Sequence, residues 1–466
     1  MSSDALGKAA GPSNGTRGDW LEIWKPEDAA FWAQSGRRTA WRTLTLTTLS
    51  LVLSFATWFV VSALVVRLPA IGFAFTERQL FWLAAMPGLA GGTFRAVHTF
   101  LTPILGTRKV VTFATLLKLI PCIGLGVGVV SLDTPYWFFI LFALLAGFGG
   151  GDFSSFMPST SLFFPKRLQG TALGVQAGVG NFGVSLAQFM TPWLIGFAAF
   201  GTLAGGPQQL TKAGVRSDVW LQNAVYWYVP LLIILGGACW VGLRSVPVKA
   251  SFREQLDIFK SKHTWFCTVT YVMTFGSFSG FSAAFPMMIK SLYGAFPGAP
   301  DPLKYAFLGP LIGSVTRVAF GFVADRTGGA ILTQLSGLGL IACAAALAVT
   351  GALAPSSLDV FPTFVGLMLA LFFFSGIGNA STFRQYPLIF AHNPRQGAGV
   401  IGWTAAVAAY GPFVFSMLIG ESIAATGAAG GAKSAAPFFI GAIAFYVVGV
   451  AINWYLYTRK GCECPS

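Results

Sequence analysis

Twelve apolar stretches, each long enough to cross a lipid bilayer as a helix, dominate this chain of 466 residues. A helix needs about 20 predominantly apolar residues to span the hydrocarbon core. Only 10% of the residues are charged, whereas a soluble domain usually carries about 25%. The sequence therefore predicts an all-α integral membrane protein with twelve transmembrane helices. The stretches are 43–66, 79–106, 110–131, 135–164, 170–200, 219–243, 264–292, 303–324, 330–353, 359–391, 397–425 and 435–457.

Basic side chains indicate how these helices are oriented. Lys and Arg are concentrated in alternate short loops, for example at Arg108 and Lys109 and at Lys166 and Arg167. The positive-inside rule places these loops and both termini in the cytoplasm. Because the net charge of +14 is scattered over such loops, we expect contact with membrane lipid and no binding of nucleic acid. The six cysteines have neither zinc-site nor disulfide spacing, so we expect no metal and no cofactor.

A charged cytoplasmic segment divides the apolar stretches into two groups of six. We expect an N-terminal segment, an N-terminal half, a linker, a C-terminal half and a tail at 1–41, 42–245, 246–263, 264–458 and 459–466, respectively. Within the first segment, residues 20–32 (WLEIWKPEDAAFW) carry tryptophan at both ends and a proline before two acids. This pattern favours a short helix at the membrane interface.

The two halves repeat each other weakly. GGGDFSSF (149–156) in the fourth stretch matches GIGNASTF (376–383) in the tenth. Arg95 in the second stretch precedes Gly106 by the same interval that separates Arg317 from Gly328 in the eighth. Parallel repeats of six helices are typical of major facilitator transporters, which bind substrate near the membrane midplane between the halves. The sequence therefore predicts that fold, with two pseudo-symmetric halves.

Arg95 and Arg317 are the charges that most need an explanation. An arginine at the bilayer centre costs at least about 2.5–3.5 kcal/mol, and Arg95 lies too deep to reach water. Neither residue has an acid within about two helical turns on its own stretch. The repeat brings both towards one central point, and a guanidinium fork suits a planar oxyanion. We therefore predict an anion site between the two arginines.

Other charges in the apolar stretches allow more than one interpretation. Asp152 and Arg384 lie deep in the fourth and tenth stretches, and we favour an ion pair between them. The alternative is that Asp152 carries a proton, with His98 as a weaker candidate for the same role. Lys118 lies about two or three turns from the cytoplasmic end, so we expect its ammonium group to reach the interface.

Residues 147–185 (GFGGGDFSSFMPSTSLFFPKRLQGTALGVQAGVGNFGVS) resemble the nitrate signature of the nitrate/nitrite porter family. FGSFSGFSAAF (275–285) and YAFLGPLIGSVTR (305–317) extend the resemblance. It implies nitrate import and nitrite export by alternating access across the bacterial cytoplasmic membrane, as part of nitrate assimilation. The implied substrate contacts are the arginines, two rings that sandwich a planar anion, a hydroxyl and an amide: Arg95, Arg317, Phe148, Phe275, Tyr271 and Gln176.

The resemblance also implies residues that let the helices pack and slide, or that gate the cytoplasmic side. These are Gly174, Gly178, Gly180, Gly183, Asn181, Asp325 and Arg326. Three positions depart from the family pattern. Gln176 replaces an asparagine, Asp152 stands where asparagine is expected, and Arg384 stands where an uncharged amide is usual. The last two changes have opposite signs, which favours an added ion pair.

The function we expect is therefore nitrate/nitrite antiport by a monomer around a two-arginine site. The nearest alternative is nitrate–proton symport through Asp152, and an anion channel is a more distant one. We expect no enzyme, because the sequence contains no arrangement of nucleophile, metal ligands or cofactor motif.

Overall fold

Long apolar helices follow one another along nearly all of the computed structural model, which describes residues 16–17, 19–212, 215–247 and 256–466. In chain order they are α1 (Ala29–Leu64), α2 (77–103), α3 (Ile104–Gly128), α4 (Tyr136–Ser161), α5 (Lys166–Leu194), α6 (Asn223–Gly242), α7 (Lys262–Tyr293), α8 (Pro302–Thr327), α9 (Gly329–Val349), α10 (Leu358–Ile389), α11 (Gly399–Ala428) and α12 (Ala436–Thr458). Within the described ranges, 10 of these helices are long and apolar enough to cross a membrane. The others, α2 and α5, are as long but more polar. The predicted all-α membrane fold of twelve helices is confirmed.

Short elements connect the helices. The strands β1 (Thr16–Arg17) and β2 (Trp20–Leu21) form one antiparallel hairpin. The strands β3 (Gln208–Lys212) and β4 (Val215–Val219) form another, with Gln208 opposite Val219, between α5 and α6. Each hairpin packs on the helices through a buried side chain, Leu21 in the first and Val219 in the second.

Local sequence explains where several helices begin and bend. Thr76 and Gln79 form a capping box at the start of α2, which is worth about 1 kcal/mol. Gly106 adopts φ 78°, which only glycine tolerates readily, and the resulting kink lies just inside the start of α3. The helix α11 is interrupted between Ala408 and Gly411. The helix α4 is interrupted at Gly147 and again at Asp152.

The two halves contact each other mainly through two symmetry-related pairs of helices, α2 with α11 and α5 with α8. Glycines allow the first pair to approach closely. A Cβ atom at Gly88 would lie 2.8 Å from Pro412, and one at Gly92 would lie 2.5 Å from the Tyr410 ring. Thr93 and Tyr410 are joined by a 2.9 Å hydrogen bond across the same seam.

Ion pairs hold the halves together at the end of the bundle opposite the chain termini, which we call the far end. Arg67 at the end of α1 bonds to both carboxylate oxygens of Asp301 before α8, at 2.9 Å each. Arg78 pairs with Glu421, and Lys433 pairs with Glu77. The structure is thus closed between the halves at the far end.

The seam between α5 and α8 is looser towards the end that carries the termini. Ser185 donates to the carbonyl of Phe307 at 3.0 Å, and Gly178 packs against Val318. Beyond them, Gly174 and Gly321 face open space. At this terminal end, the ion pair between Lys262 and Glu463 joins elements of the C-terminal half.

The N-terminal segment differs from expectation. Residues 22–28 are not helical, and the helix begins at Ala29, capped by Asp28. Ala29 is the first residue of α1 itself, so the predicted separate interfacial helix over 20–32 is wrong. The segment is held by backbone bonds instead, because Leu21 donates to the carbonyl of Ser245 at 2.9 Å. Much of the predicted linker, residues 248–255, lies outside the described residues.

Candidate functional site

Arg95 is completely buried near the middle of α2. Its Nε donates to the carbonyl of Gly150 in α4 at 2.7 Å. Its Nη1 donates to the carbonyl of Ala405 in α11 at 2.8 Å. The first bond stays within the N-terminal half and the second crosses to the other half. The third group, Nη2, has no hydrogen-bond partner among the described residues.

Aromatic rings surround this guanidinium group. The centroids of four rings lie within 6.0 Å of Arg95 Cζ, and they belong to Phe55, Trp58, Phe153 and Phe275. Such rings attract a buried cation through their faces, by about 0.5–2 kcal/mol each. They therefore offset part of the cost of burying Arg95.

Arg317 lies on α8 in the other half and is 5% exposed. Its Cζ lies 4.9 Å from the centroid of the Phe383 ring, and its Nη1 has no hydrogen-bond partner in the described part of the chain. Phe383 in turn lies 6.2 Å from Phe153, the ring beneath Arg95. The two arginines therefore lie against the two members of one ring pair between the halves.

Tyr271 and Phe275 complete the same region from α7. Their rings are stacked at 5.5 Å and 6°, because a π-helical turn at Val272–Gly276 keeps them on one face of the helix. The ring of Tyr271 lies 5.6 Å from Phe383. Its hydroxyl group is buried beside Arg317 and Arg95, and its proton has no acceptor among the described residues.

This arrangement leaves three buried donor groups free: one nitrogen each of Arg95 and Arg317, and the hydroxyl of Tyr271. A buried polar group without a partner costs about 1–3 kcal/mol, and a charged one costs more. A small anion that accepts from all three groups would remove this cost and offset part of the positive charge.

Two further predicted contacts take different positions. Phe148 packs against Phe94 at 4.7 Å, and it is Phe153 of α4 that lies over Arg95. Gln176 is buried on α5 and donates to the carbonyl of Phe156 at 3.3 Å, while its Oε1 finds no partner in the described ranges. Gln176 therefore contacts α4 in this structure, and its Nε2 group keeps a second N–H.

The predicted ion pair between Asp152 and Arg384 is wrong. Asp152 is 1% exposed and accepts from Lys118 Nζ at 2.5 Å. Arg384 instead lies 3.3 Å from Asp325, at the terminal end of the C-terminal half. The reason is geometric, since the carboxylate of Asp152 points towards α3 and away from α10. Lys118 is also fully buried, so the prediction that it reaches the interface is wrong as well.

The helix-packing residues of α5 divide into separate groups. Gly180 and Gly183 pack against α1, where a Cβ atom would lie 2.7 Å from Leu51 and 2.9 Å from the Ala56 nitrogen, respectively. Gly178 packs against Val318 of α8, whereas a Cβ atom at Gly174 would have no neighbour within 4 Å. Asn181 is buried, with neither side-chain atom hydrogen-bonded among the described residues. Both Asp325 and Arg326 are exposed at the end of α8.

The rings of Phe55, Trp58, Phe153 and Phe383 are the functional candidates that sequence reasoning missed. A signal existed for one of them. Phe383 ends the repeated motif in the C-terminal half, at the position that Phe156 occupies in the N-terminal half. The two α1 rings carry no comparable signal, because aromatic residues are common throughout this chain.

The fold and the two arginines buried between its pseudo-symmetric halves define the class of protein, a membrane transporter. The model of the Major Facilitator Superfamily matches residues 46–415. The chain is 60% identical to the "Probable nitrate/nitrite antiporter NarK2" of Thermus thermophilus, over 96% of this chain and 99% of that protein. It is 36% identical to the "Nitrate/nitrite transporter NarU" of Escherichia coli K12, over 94% of this chain and 96% of that one. This chain therefore belongs to the major facilitator superfamily and, within it, to the family of these two transporters.

A solved structure agrees on the fold. The bacterial homolog of the human lysosomal transporter Spinster, in its inward-facing and unoccupied conformation, superposes with a TM-score of 0.66. The superposition covers 89% of this chain and 96% of that one, at 16% identity. At that identity the likeness concerns the fold alone.

Proposed function

We propose that this chain is a nitrate/nitrite antiporter that imports nitrate and exports nitrite by alternating access. It would act as a monomer in the bacterial cytoplasmic membrane, with both termini in the cytoplasm. The observation that carries the proposal is the set of three unpaired buried donors, on Arg95, Arg317 and Tyr271, inside an aromatic shell between the halves. The names of the relatives support nitrate and nitrite as the anions.

The site binds a planar monoanion through complementary shape and charge. The free nitrogens of the two guanidinium groups and the tyrosine hydroxyl donate to the oxygens in the plane of the anion, and the rings cover its faces. A tetrahedral sulfate or phosphate would place an oxygen where a ring lies. Nitrite is smaller but also planar, so it uses the same donors.

Exchange follows from the charges. In the empty carrier two buried guanidinium groups face each other, and their repulsion opposes closure of the halves around the site. A bound monoanion reduces that repulsion and draws Arg95 and Arg317 together, so the occupied carrier changes conformation more readily. Return of the carrier then requires a second anion, which makes transport an obligatory exchange.

The proton-symport alternative depends on Asp152. Its carboxylate is engaged by Lys118, which favours exchange over proton transport. The observation in favour of symport is that Asp152 Oδ1 lies 3.7 Å from His98 Nδ1 and accepts no hydrogen bond among the described residues. The ion pairs that close the far end argue against a channel, because a channel needs a continuous path. We propose no enzymatic reaction.

Uptake of labelled nitrate into proteoliposomes tests the proposal. Internal nitrite should accelerate uptake strongly, and an imposed pH gradient without internal nitrite should not drive it. Uptake that follows the pH gradient and ignores nitrite would establish symport. Conductance without acceleration by internal anion would establish a channel. The Arg317→Lys variant is the control, because a lysine keeps the charge but loses the planar fork.

A further inference from the structure

The buried ion pair between Lys118 and Asp152 lies beside the anion site but contributes no donor to it. Asp152 Oδ2 accepts from Lys118 Nζ on α3 and from Ser54 Oγ on α1, each at 2.5 Å. Lys118 also donates to the carbonyl of Ala114, at 2.7 Å. One carboxylate therefore ties α4 to both α1 and α3.

Asp152 marks the point where the helical hydrogen bonding of α4 is interrupted, directly after a run of glycines. This glycine run fits closely against α1 and α2. A Cβ atom at Gly150 would lie 2.7 Å from Trp58 and 2.8 Å from the Cα of Gly91, and one at Gly151 would lie 2.7 Å from Phe94. The backbone of α4 at this point is thus in direct contact with the helix that carries Arg95.

The contact includes the anion site itself, because the carbonyl of Gly150 accepts the Nε of Arg95 at 2.7 Å. Gly150 lies two residues before Asp152 on the same interrupted turn. A rotation or slide of this turn would therefore move the carbonyl that orients the guanidinium group. The contacts of Asp152 with Lys118 and Ser54 oppose such a movement.

We propose that the buried Lys118–Asp152 ion pair positions Arg95, by fixing the interrupted turn of α4 so that the Gly150 carbonyl holds the guanidinium group in its binding orientation. Asp152 and Lys118 are positioning residues, since neither donates to the anion site. The inference rests on the proposed function only in naming the anion as nitrate.

The first test is the nitrate concentration that half-saturates exchange, measured in proteoliposomes for four proteins. Asp152→Asn should raise it about tenfold, because a small misplacement of a binding group is costly, while Asp359→Asn in the exposed first turn of α10 should leave it unchanged. The double variant Lys118→Met with Asp152→Asn should stay within about threefold of the single variant, since it also lacks the ion pair that fixes the turn. Unchanged half-saturation in Asp152→Asn, together with a lower unfolding temperature, would mean a purely structural pair and overturn the proposal.

Two other outcomes would also overturn it. A lower half-saturating nitrate concentration in Asp152→Asn would mean that the unpaired Lys118 acts on the anion through its charge. A double variant restored to the half-saturating concentration of the natural protein would mean that the unpaired charge of Lys118, and not the lost ion pair, caused the defect.

A second test works without any substrate. The ¹⁵N–¹H resonance of the Arg95 Nε group, assigned by its loss in Arg95→Lys, should shift in Asp152→Asn and remain shifted in the double variant. An unmoved resonance overturns the positioning role. If the natural protein transports no nitrate but this resonance responds as expected, the proposed function fails and the positioning role stands.

Discussion

The ion pair between Arg67 and Asp301 should control how readily the far end opens. Their side chains are 11% and 10% exposed, and one guanidinium nitrogen bonds to both carboxylate oxygens at 2.9 Å. Asp301 also caps the start of α8 through the backbone nitrogen of Leu303. Asparagine is an equally good cap, so Asp301→Asn removes the charge and keeps the helix start.

The magnitude follows from the burial of the pair. At 2.9 Å and an effective dielectric constant of about 20, the attraction is about 5–6 kcal/mol before desolvation is subtracted. Removing one partner of a fully buried pair costs about 3–5 kcal/mol. For Arg67 and Asp301, which keep some contact with solvent, we expect about 2–3 kcal/mol. Opening of the far end hydrates Arg67, so the variant destabilises only the closed state. The equilibrium between closed and open states therefore shifts towards the open state by roughly 30- to 150-fold.

Distances between spin labels can measure this shift. Ser131 and Ser356 are exposed on far-end loops of opposite halves, and cysteines placed there would carry the labels. Asp301→Asn should convert a short-distance population largely into a longer one. Glu421→Gln is the matched control, since the pair between Glu421 and Arg78 is 36% and 63% exposed and should shift the equilibrium less than about fivefold. Equal effects of the two variants, or none from Asp301→Asn, would refute the reasoning.

Other predictions concern the site, the packing and the tail. Tyr271→Phe removes one unpaired donor. It should raise the nitrate concentration that half-saturates exchange about tenfold without lowering the unfolding temperature. Gly183→Ala should destabilise the protein by about 1–3 kcal/mol in thermal unfolding, because α1 occupies the space, whereas Gly174→Ala faces open space and should be neutral. The hydrogen bond from Lys262 lowers the pKa of Glu463, so the attachment of the tail to α7 should be retained at neutral pH and lost as the pH falls through that lowered pKa. Limited proteolysis of the tail should reveal this loss, and Glu463→Gln should make cleavage independent of pH.

Sequence patterns predicted the features that depend on depth in the membrane. The length of an apolar run sets the number of helices, and the repeat relates Arg95 to Arg317 because equivalent positions lie at equal depth. A charge far from both helix ends has to be buried, whatever its neighbours are. Depth in the membrane follows from position along the chain, whichever helices touch.

The direction in which a side chain points around its helix was not predictable in the same way. Lys118 lies only two or three turns from one end of its apolar stretch, and depth alone suggested contact with the interface. Its helix instead directs it towards Asp152, in a pairing between helices that no local pattern marks. The same limit explains why Arg384 was assigned the wrong partner. It also explains why Phe148 was predicted to lie at the site, whereas Phe153 is the ring over Arg95.

The central claim is that one planar monoanion binds between Arg95 and Arg317, and calorimetric titration of the purified protein with nitrate tests it most directly. The account predicts one site for nitrate, no binding of sulfate, and at least about 100-fold weaker nitrate binding in both Arg95→Lys and Arg317→Lys. Nitrate binding of natural strength in either folded variant would contradict it.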